Sequence, residues 1–321
     1  MVHLQVLYHG SCFDGCASAA LFASFYRQHV DPSAEVAFTP LVHGPPGELP
    51  DALLGGDDNA IVDFGYSRSD RLGWWFDHHK SGLKQPDREH FAGRPAGRFF
   101  YDPQAPSCAG WLSRSLAATR GFDTAPHAEL IRWAEIIDAA AFPDARMAVE
   151  LSEPALRIMT VLEASGDDPG LQRRIIAGMA APGAAALVDV AADPAVDGAL
   201  QPLLRRHRET IELVRGRVQM TGEVLAYDVA DHNLEGINKF IPYFLRPEAL
   251  YVVAVSASEK RAKISVGSNP WRPAERRHDI AALCQRHGGG GHPVVGAISL
   301  PPDQVDEARR IAAELVAELS R

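Results

Sequence analysis

Trp75-Phe76-Asp77-His78-His79 ends an apolar, strand-like run with one carboxylate and two imidazoles, side chains that hard or borderline divalent cations accept as ligands. Two other stretches repeat the pattern of apolar run, ligand-type residue and glycine: Val6-Leu7-Tyr8-His9 leading through Cys12-Phe13-Asp14-Gly15, and Ile61-Val62-Asp63-Phe64-Gly65. Short buried runs alternating with an Ala-rich helical segment indicate an open α/β sheet, and such sheets receive ligands at the carboxyl ends of their strands. His9, Asp14, Asp63 and residues 77–79 are therefore expected at one metal site.

Working outward, strands are expected at 3–8, 35–41, 60–64 and 73–76, with a helix over 15–28. Amphipathic helices follow at 107–118 and 125–140, the second carrying Asp138 just beyond Trp133, Ile136 and Ile137. Further helices are expected at 153–164, 171–179 and 198–217, and the Pro-, Gly- and Ala-rich passage 180–197 reads as the loosest part. From Val218 the period changes to strands at 223–229 and 250–256, a hairpin arm at 261–266 and a short helix at 279–286. Gly288-Gly289-Gly290-Gly291-His292 then precedes a strand at 294–300 and a closing amphipathic helix at 304–319.

The expected fold class is α/β: a mostly parallel open sheet with flanking helices over 1–150, a helical connector over 151–217, and a smaller C-terminal α/β domain over 218–321, with a catalytic cleft between the two. With 321 residues the chain is long enough for two domains. A net charge of -9 argues against a basic face for long duplex nucleic acid, but leaves small phosphorylated substrates open, since bound dications would neutralise part of that charge. Cys12, Cys16, Cys108 and Cys284 form no Cys-x-x-Cys pair and no disulfide framework. With no secretory leader pattern and no apolar run of about 18 residues, a soluble cytoplasmic protein without a membrane partner is expected. A homodimer is compatible with the sequence, which does not fix oligomeric state.

Asp77-His78-His79, Asp14-Gly15 after the first strand, Asp63 after the third, Asp138 downstream and Gly289-Gly290-Gly291-His292 together resemble the DHH phosphoesterase family with its associated C-terminal domain. Each motif recurs by chance; five in the family's order and approximate spacing make a joint signal. The resemblance implies that Asp14, Asp63, His78 and Asp138 hold one Mn²⁺-type ion, that Asp63 bridges to a second served by His9, and that a metal-bound water attacks phosphorus. Mg²⁺, Co²⁺ or Zn²⁺ would also suit carboxylate and imidazole ligands. His79 would then face the substrate phosphate, with Asp77 orienting its neighbours. In the C-terminal domain the resemblance implies a phosphate or nucleotide-end pocket containing Ser268, Gly289, Gly290, Gly291 and His292.

Two departures stand out. The family usually has two aspartates one residue apart in its first motif, but here the earlier position is Cys12, which is either a further ligand favouring a softer ion or a small residue packed beside the site. The family often carries a Ser-x-Arg-Ser clamp where this chain reads Ser265-Val266-Gly267-Ser268, and Arg261, Lys263 and Arg272 are the nearby cations. Trp74 and Trp75 read as core packing rather than base-stacking residues, and His43 and His287 fit no motif.

The leading expectation is a metal-dependent hydrolase of phosphoester bonds in a short oligonucleotide, a dinucleotide or a nucleoside bisphosphate. An exopolyphosphatase or inorganic pyrophosphatase is the second enzyme reading, although the basic Ser-Arg-Lys-Lys-Gln signature of such pyrophosphatases has only a poor counterpart in Ser258-Glu259-Lys260-Arg261. A nucleotide-binding module of weakened catalysis is the third.

Overall fold

The computed structural model describes residues 1–42, 49–166, 168–234 and 236–321; His43 lies outside them. The chain divides into two compact units, Met1–Phe142 with Leu151–Leu203, and Pro143–Glu150 with Leu204–Arg321.

The first unit begins with β1 (His3–His9), α1 (Phe13–His29), β2 (Glu35–Leu41), β3 (Asp58–Val62), β4 (Trp74–Asp77), α2 (Arg88–Ala92), β5 (Phe99–Tyr101), α3 (Cys108–Arg120) and α4 (Ala128–Asp138). Its strands lie in the order β2-β1-β3-β4-β5, and every pairing is parallel. Leu4, Val6, Leu7 and Tyr8 are at most 1% exposed, as a central strand covered on both faces requires. The chain steps from β1 to β2 on one side and returns to β3 on the other, so the strand order reverses between β1 and β3, the place where open parallel sheets bind ligands.

The small residues of α1, among them Ala17, Ala19, Ala20 and Ala23, let its first three turns lie buried on the sheet, where Phe22 and Phe25 meet Trp74 edge-on. Trp74 and Trp75 are core residues whose indole nitrogens donate to Asp58 Oδ2 and the Phe64 carbonyl, each at 2.9 Å.

After α5 (Ala145–Glu150), which belongs to the second unit, come α6 (Pro154–Ala164), α7 (Pro169–Met179), α8 (Ala186–Ala192) and α9 (Pro194–Arg215). Here the organisation differs from the sequence expectation. Residues 151–217 are not a separate connector: α6 and α7 pack on α1, α8 packs on both, and α9 runs across the division. The physical reason is the apolar face of these helices, with Leu156, Ile158, Ile175 and Ile176 fully buried. The passage 180–197 likewise contains α8, whose Leu187 and Val190 are buried.

The second unit continues with β6 (Gln219–Thr221), β7 (Val224–Asp228), α10 (Ile241–Leu245), β8 (Tyr251–Ala257), β9 (Ala262–Ser268), α11 (Ile280–Gln285), β10 (Gly290–His292), β11 (Val295–Leu300) and α12 (Val305–Leu319). Its sheet runs β10-β11-β9-β8-β7-β6, parallel only between β7 and β8, with Ile264, Ile298, Ile311 and Leu315 in one core. The glycine run is not purely a loop, because residues 290–292 pair with β11 as the edge strand. Among the described residues no helix is long and apolar enough to cross a membrane.

Candidate metal centre

Each expected ligand in the first unit sits where an element starts or stops. His9 ends β1, Cys12 caps the N-terminus of α1, Asp14 lies in that helix's first turn, Asp77 ends β4 and Asp138 ends α4. Asp63 follows β3 with φ of 56°, a left-handed conformation that Asp tolerates better than most residues and that turns the carboxylate inward at the strand end.

These side chains converge. His78 Nε2 lies 3.7 Å from Asp14 Oδ2, 3.6 Å from Asp63 Oδ1 and 3.4 Å from Asp138 Oδ2. His78 Nδ1 is 2.9 Å from the Ala105 carbonyl, which can only accept, so Nδ1 carries a proton and Nε2 is the ring atom turned toward the three carboxylates. Neither His78 Nε2 nor Asp63 Oδ1 has a hydrogen-bond partner, although both atoms are buried. Buried ligand-type atoms that face one another without hydrogen bonds suit a cation between them. Ligand atoms about 2.1 Å from one ion lie roughly 3.0 to 3.5 Å apart, close to the observed spacing.

The other oxygen of Asp63 faces a second group. Asp63 Oδ2 is 3.6 Å from His9 Nδ1 and 3.2 Å from Cys12 Sγ, and donor atoms of these three residues lie within 4.8 Å of one another. Asp63 thus stands between two clusters of donor atoms suited to metal ions.

Asp77 is fully buried, and its Oδ1 accepts from the backbone N–H of His78 (2.9 Å), the backbone N–H of His79 (3.2 Å) and His79 Nδ1 (2.7 Å). It fixes the turn that carries both histidines. Its hydrogen bond pushes the His79 imidazole up to about 9, so the ring is cationic near neutrality. Burial pushes the Asp63 carboxyl up to about 7, and Asp14, buried beside Asp63 and Asp138, is raised well above the usual carboxylate range. Burial raises Asp138 as well, and it lowers His9.

Several supporting groups carry no sequence signature. Asp14 is gripped by the first amides of α3, from Cys108 (2.6 Å) and Ala109 (2.9 Å), so its carboxylate occupies a helix N-terminus. Gly82 has no side chain because a Cβ there would overlap Asp77 Oδ2, and Tyr101 donates to the His79 carbonyl at 3.0 Å. The amides that hold Asp14 belong to Cys108 and Ala109, far along the chain, and no residue type marks them.

In the second unit, a cleft of about 550 Å³ is lined by Gly290, Gly291, His292, Arg261, Lys263 and Lys239, among others. Its described lining contains no Asp or Glu, notable in a chain of net charge -9. Two expected members are placed otherwise: the Ser268 hydroxyl donates to the Val294 carbonyl at 3.1 Å, and Gly289 packs against Ala297. Arg272 is engaged by Glu223 and Glu275, leaving Arg261 and Lys263 as the clamp candidates in the cleft.

A pGpG-specific phosphodiesterase, PggH of Vibrio cholerae, superposes with a TM-score of 0.68 over 99% of each chain at 17% identity. The chain has the DHH fold. The DHH domain of a member of a family of ribosomal proteins matches with a TM-score of 0.57 at 14% identity, over 98% of this chain and 87% of the other. RecJ of Thermus thermophilus in complex with Mg²⁺ matches at 0.50 and 14% identity, over 99% of this chain and half of the longer RecJ chain. No family model matches the sequence, and no curated protein matches it.

Proposed function

We propose that this protein is a DHH-type metal-dependent hydrolase of phosphoester bonds acting on a small phosphorylated substrate, with a linear dinucleotide as the preferred class. The carrying observation is a pair of buried atoms without a hydrogen bond, Asp63 Oδ1 and His78 Nε2, facing each other 3.6 Å apart beside Asp14 and Asp138. Asp14, Asp63, His78 and Asp138 would hold one cation, and His9 with Asp63 a second. A bound Mn²⁺-type ion would supply a hydroxide near neutral pH and offset charge on the phosphoryl oxygens. Asp77 holds His79 by Nδ1, which leaves Nε2–H of the imidazolium to donate to a phosphoryl oxygen or the leaving group. The cleft, with Lys263, Arg261 and His292 and no Asp or Glu in its described lining, suits a terminal phosphate. The specificity in the PggH description favours a dinucleotide over a polymer.

The test is hydrolysis of pGpG, a nucleoside bisphosphate and pyrophosphate with Mn²⁺, by wild type and by Asp63→Asn and His78→Gln. Mononucleotide release by wild type, reduced at least a hundredfold in both variants, is expected. Phosphate release from pyrophosphate alone, or equal rates in all three proteins, overturns the reading.

A further inference from the structure

Cys12 has a position that folding alone does not explain. The residue before a helix best satisfies the open amides with a side-chain oxygen, and Ser, Thr, Asp and Asn lead there. Here the cap bond from the Gly15 amide is accepted by sulfur at 3.1 Å. Packing does not explain it either. Cys16, Cys108 and Cys284 are buried, whereas Cys12 is only half-buried and points Sγ at Asp63 Oδ2, 3.2 Å away. The loop from His9 to Cys12 is also drawn tight, because a Cβ at Gly15 would overlap the His9 carbonyl and approach the His9 side chain. Only glycine lets the first turn of α1 close on the end of β1, and that closure puts His9, Cys12 and Asp63 donor atoms within 4.8 Å of one another.

We infer that Cys12 is a thiolate ligand, completing with His9 and Asp63 a cation position that takes zinc-type ions in preference to Mn²⁺. This rests on the reading of the cluster as a cation centre and names the ion class at its second position. The chemistry follows from the donor set. One sulfur, one imidazole nitrogen and one carboxylate oxygen form a borderline-soft set, and affinity for such sets rises from Mn²⁺ through Co²⁺ toward Zn²⁺. The Cys12 thiol donates to Asp63 Oδ2. The cation takes the place of that proton, which passes to solvent, and Asp63 Oδ2 then faces the ion instead of S–H. The first position, ligated by oxygen and imidazole alone, keeps its preference for harder ions, so the two positions differ in the ion they select.

Cobalt reports the sulfur directly, since a Co²⁺–thiolate bond absorbs in the near ultraviolet and carboxylate or imidazole ligation does not. The full chain, stripped of metal, is titrated with Co²⁺ and followed by absorbance and by equilibrium dialysis. Wild type is expected to develop the band, and Cys108→Ala and Cys284→Ala to keep it. Cys12→Ser and Cys12→Asp are expected to lose it while retaining helical circular dichroism, because both replacements cap a helix well. In competition, Cys12→Asp is expected to lower the Zn²⁺ over Mn²⁺ preference at least tenfold. Cobalt uptake by wild type without the band, or a band that survives in Cys12→Ser, overturns the inference and leaves the proposed hydrolase standing. No cobalt uptake at all overturns both.

Discussion

Asp63→Asn separates the structural cost of the metal-free centre from its capacity to hold a cation. The carboxylate is 1% exposed with one oxygen lacking a hydrogen bond, and burial raises it from 3.8 to about 7. A tenfold displacement of a protonation equilibrium is worth about 1.4 kcal/mol, so keeping Asp63 ionised in the metal-free native state costs on the order of 4 kcal/mol. Asparagine has nearly the same shape and tolerates the left-handed φ of 56°, so the backbone turn is kept. Its amide still needs partners in a buried site, which brings the expected gain to between about 1 and 4 kcal/mol.

The sign follows from linkage. Well below pH 3.8 the group is protonated in native and unfolded chains alike and contributes nothing. Between there and about 7 the unfolded chain ionises while the native one holds its proton, so wild type loses stability as pH rises, and the loss is complete above about 7. The variant should therefore match wild type near pH 4 and exceed it at pH 8 when both are unfolded in a chelator. With Mn²⁺ at a hundred times its dissociation constant, wild type should regain about 2.7 kcal/mol and the variant little. Thermal and urea unfolding at both pH values read this out. A variant less stable than wild type at pH 8 without metal, or equally stabilised by Mn²⁺, refutes the reasoning.

Asp77→Asn should drop the His79 pKa from about 9 toward the ordinary value of about 6.5, measured by NMR titration of the metal-free ring. By the same linkage, the His79 contact with Asp77 stabilises wild type fully below about pH 6.5 and fades as pH rises through about 9; an unmoved titration would show that another group holds the proton. Gly82→Ala forces the Asp77 carboxylate off the His78 and His79 amides, so Mn²⁺ affinity should fall tenfold or more with circular dichroism unchanged. Gly65→Ala, where a Cβ meets only the Gly82 carbonyl at 3.8 Å, should leave affinity alone, and equal losses in the two would rule out the steric cause. Gly289→Ala should lower the melting temperature, because its Cβ would overlap the Ala297 carbonyl. Gly290→Ala has open space, so it should melt like wild type yet bind GMP more weakly; undiminished binding would remove Gly290 from the anion cleft.

The ligand-type residues were legible because period and chemistry coincide. His9, Asp63 and Asp77 each end or follow a buried strand, and the open-sheet rule says where such ends point. What supports them was not legible, because the Ala105 carbonyl, the Cys108 and Ala109 amides and the bare Cα of Gly82 act through backbone, where residue type says little. The division of the chain was misplaced for a related reason. The apolar faces of α6 to α8 announce that they are buried, but periodicity does not name the surface that buries them, which is α1. The strand inside the glycine run was hidden because glycine disfavours strands by itself, and residues 290–292 are extended because β11 pairs with them.

Charge balance ties the two proposals together. Asp14, Asp63, Asp77 and Asp138 bring four carboxylates to one cluster, and the compensating groups nearby are the His79 imidazolium and the N-termini of α1 and α3. Each helix terminus is worth about half a charge, which leaves about two negative charges, the charge of one dication. A second dication needs further negative charge. The Cys12 thiolate supplies part of it and an anionic phosphate substrate the remainder, so on the reading proposed here the second cation binds more tightly when substrate is present. Removing the thiolate by Cys12→Ser should then weaken the second cation while leaving the first, held by Asp14, Asp63, His78 and Asp138, close to its wild-type affinity.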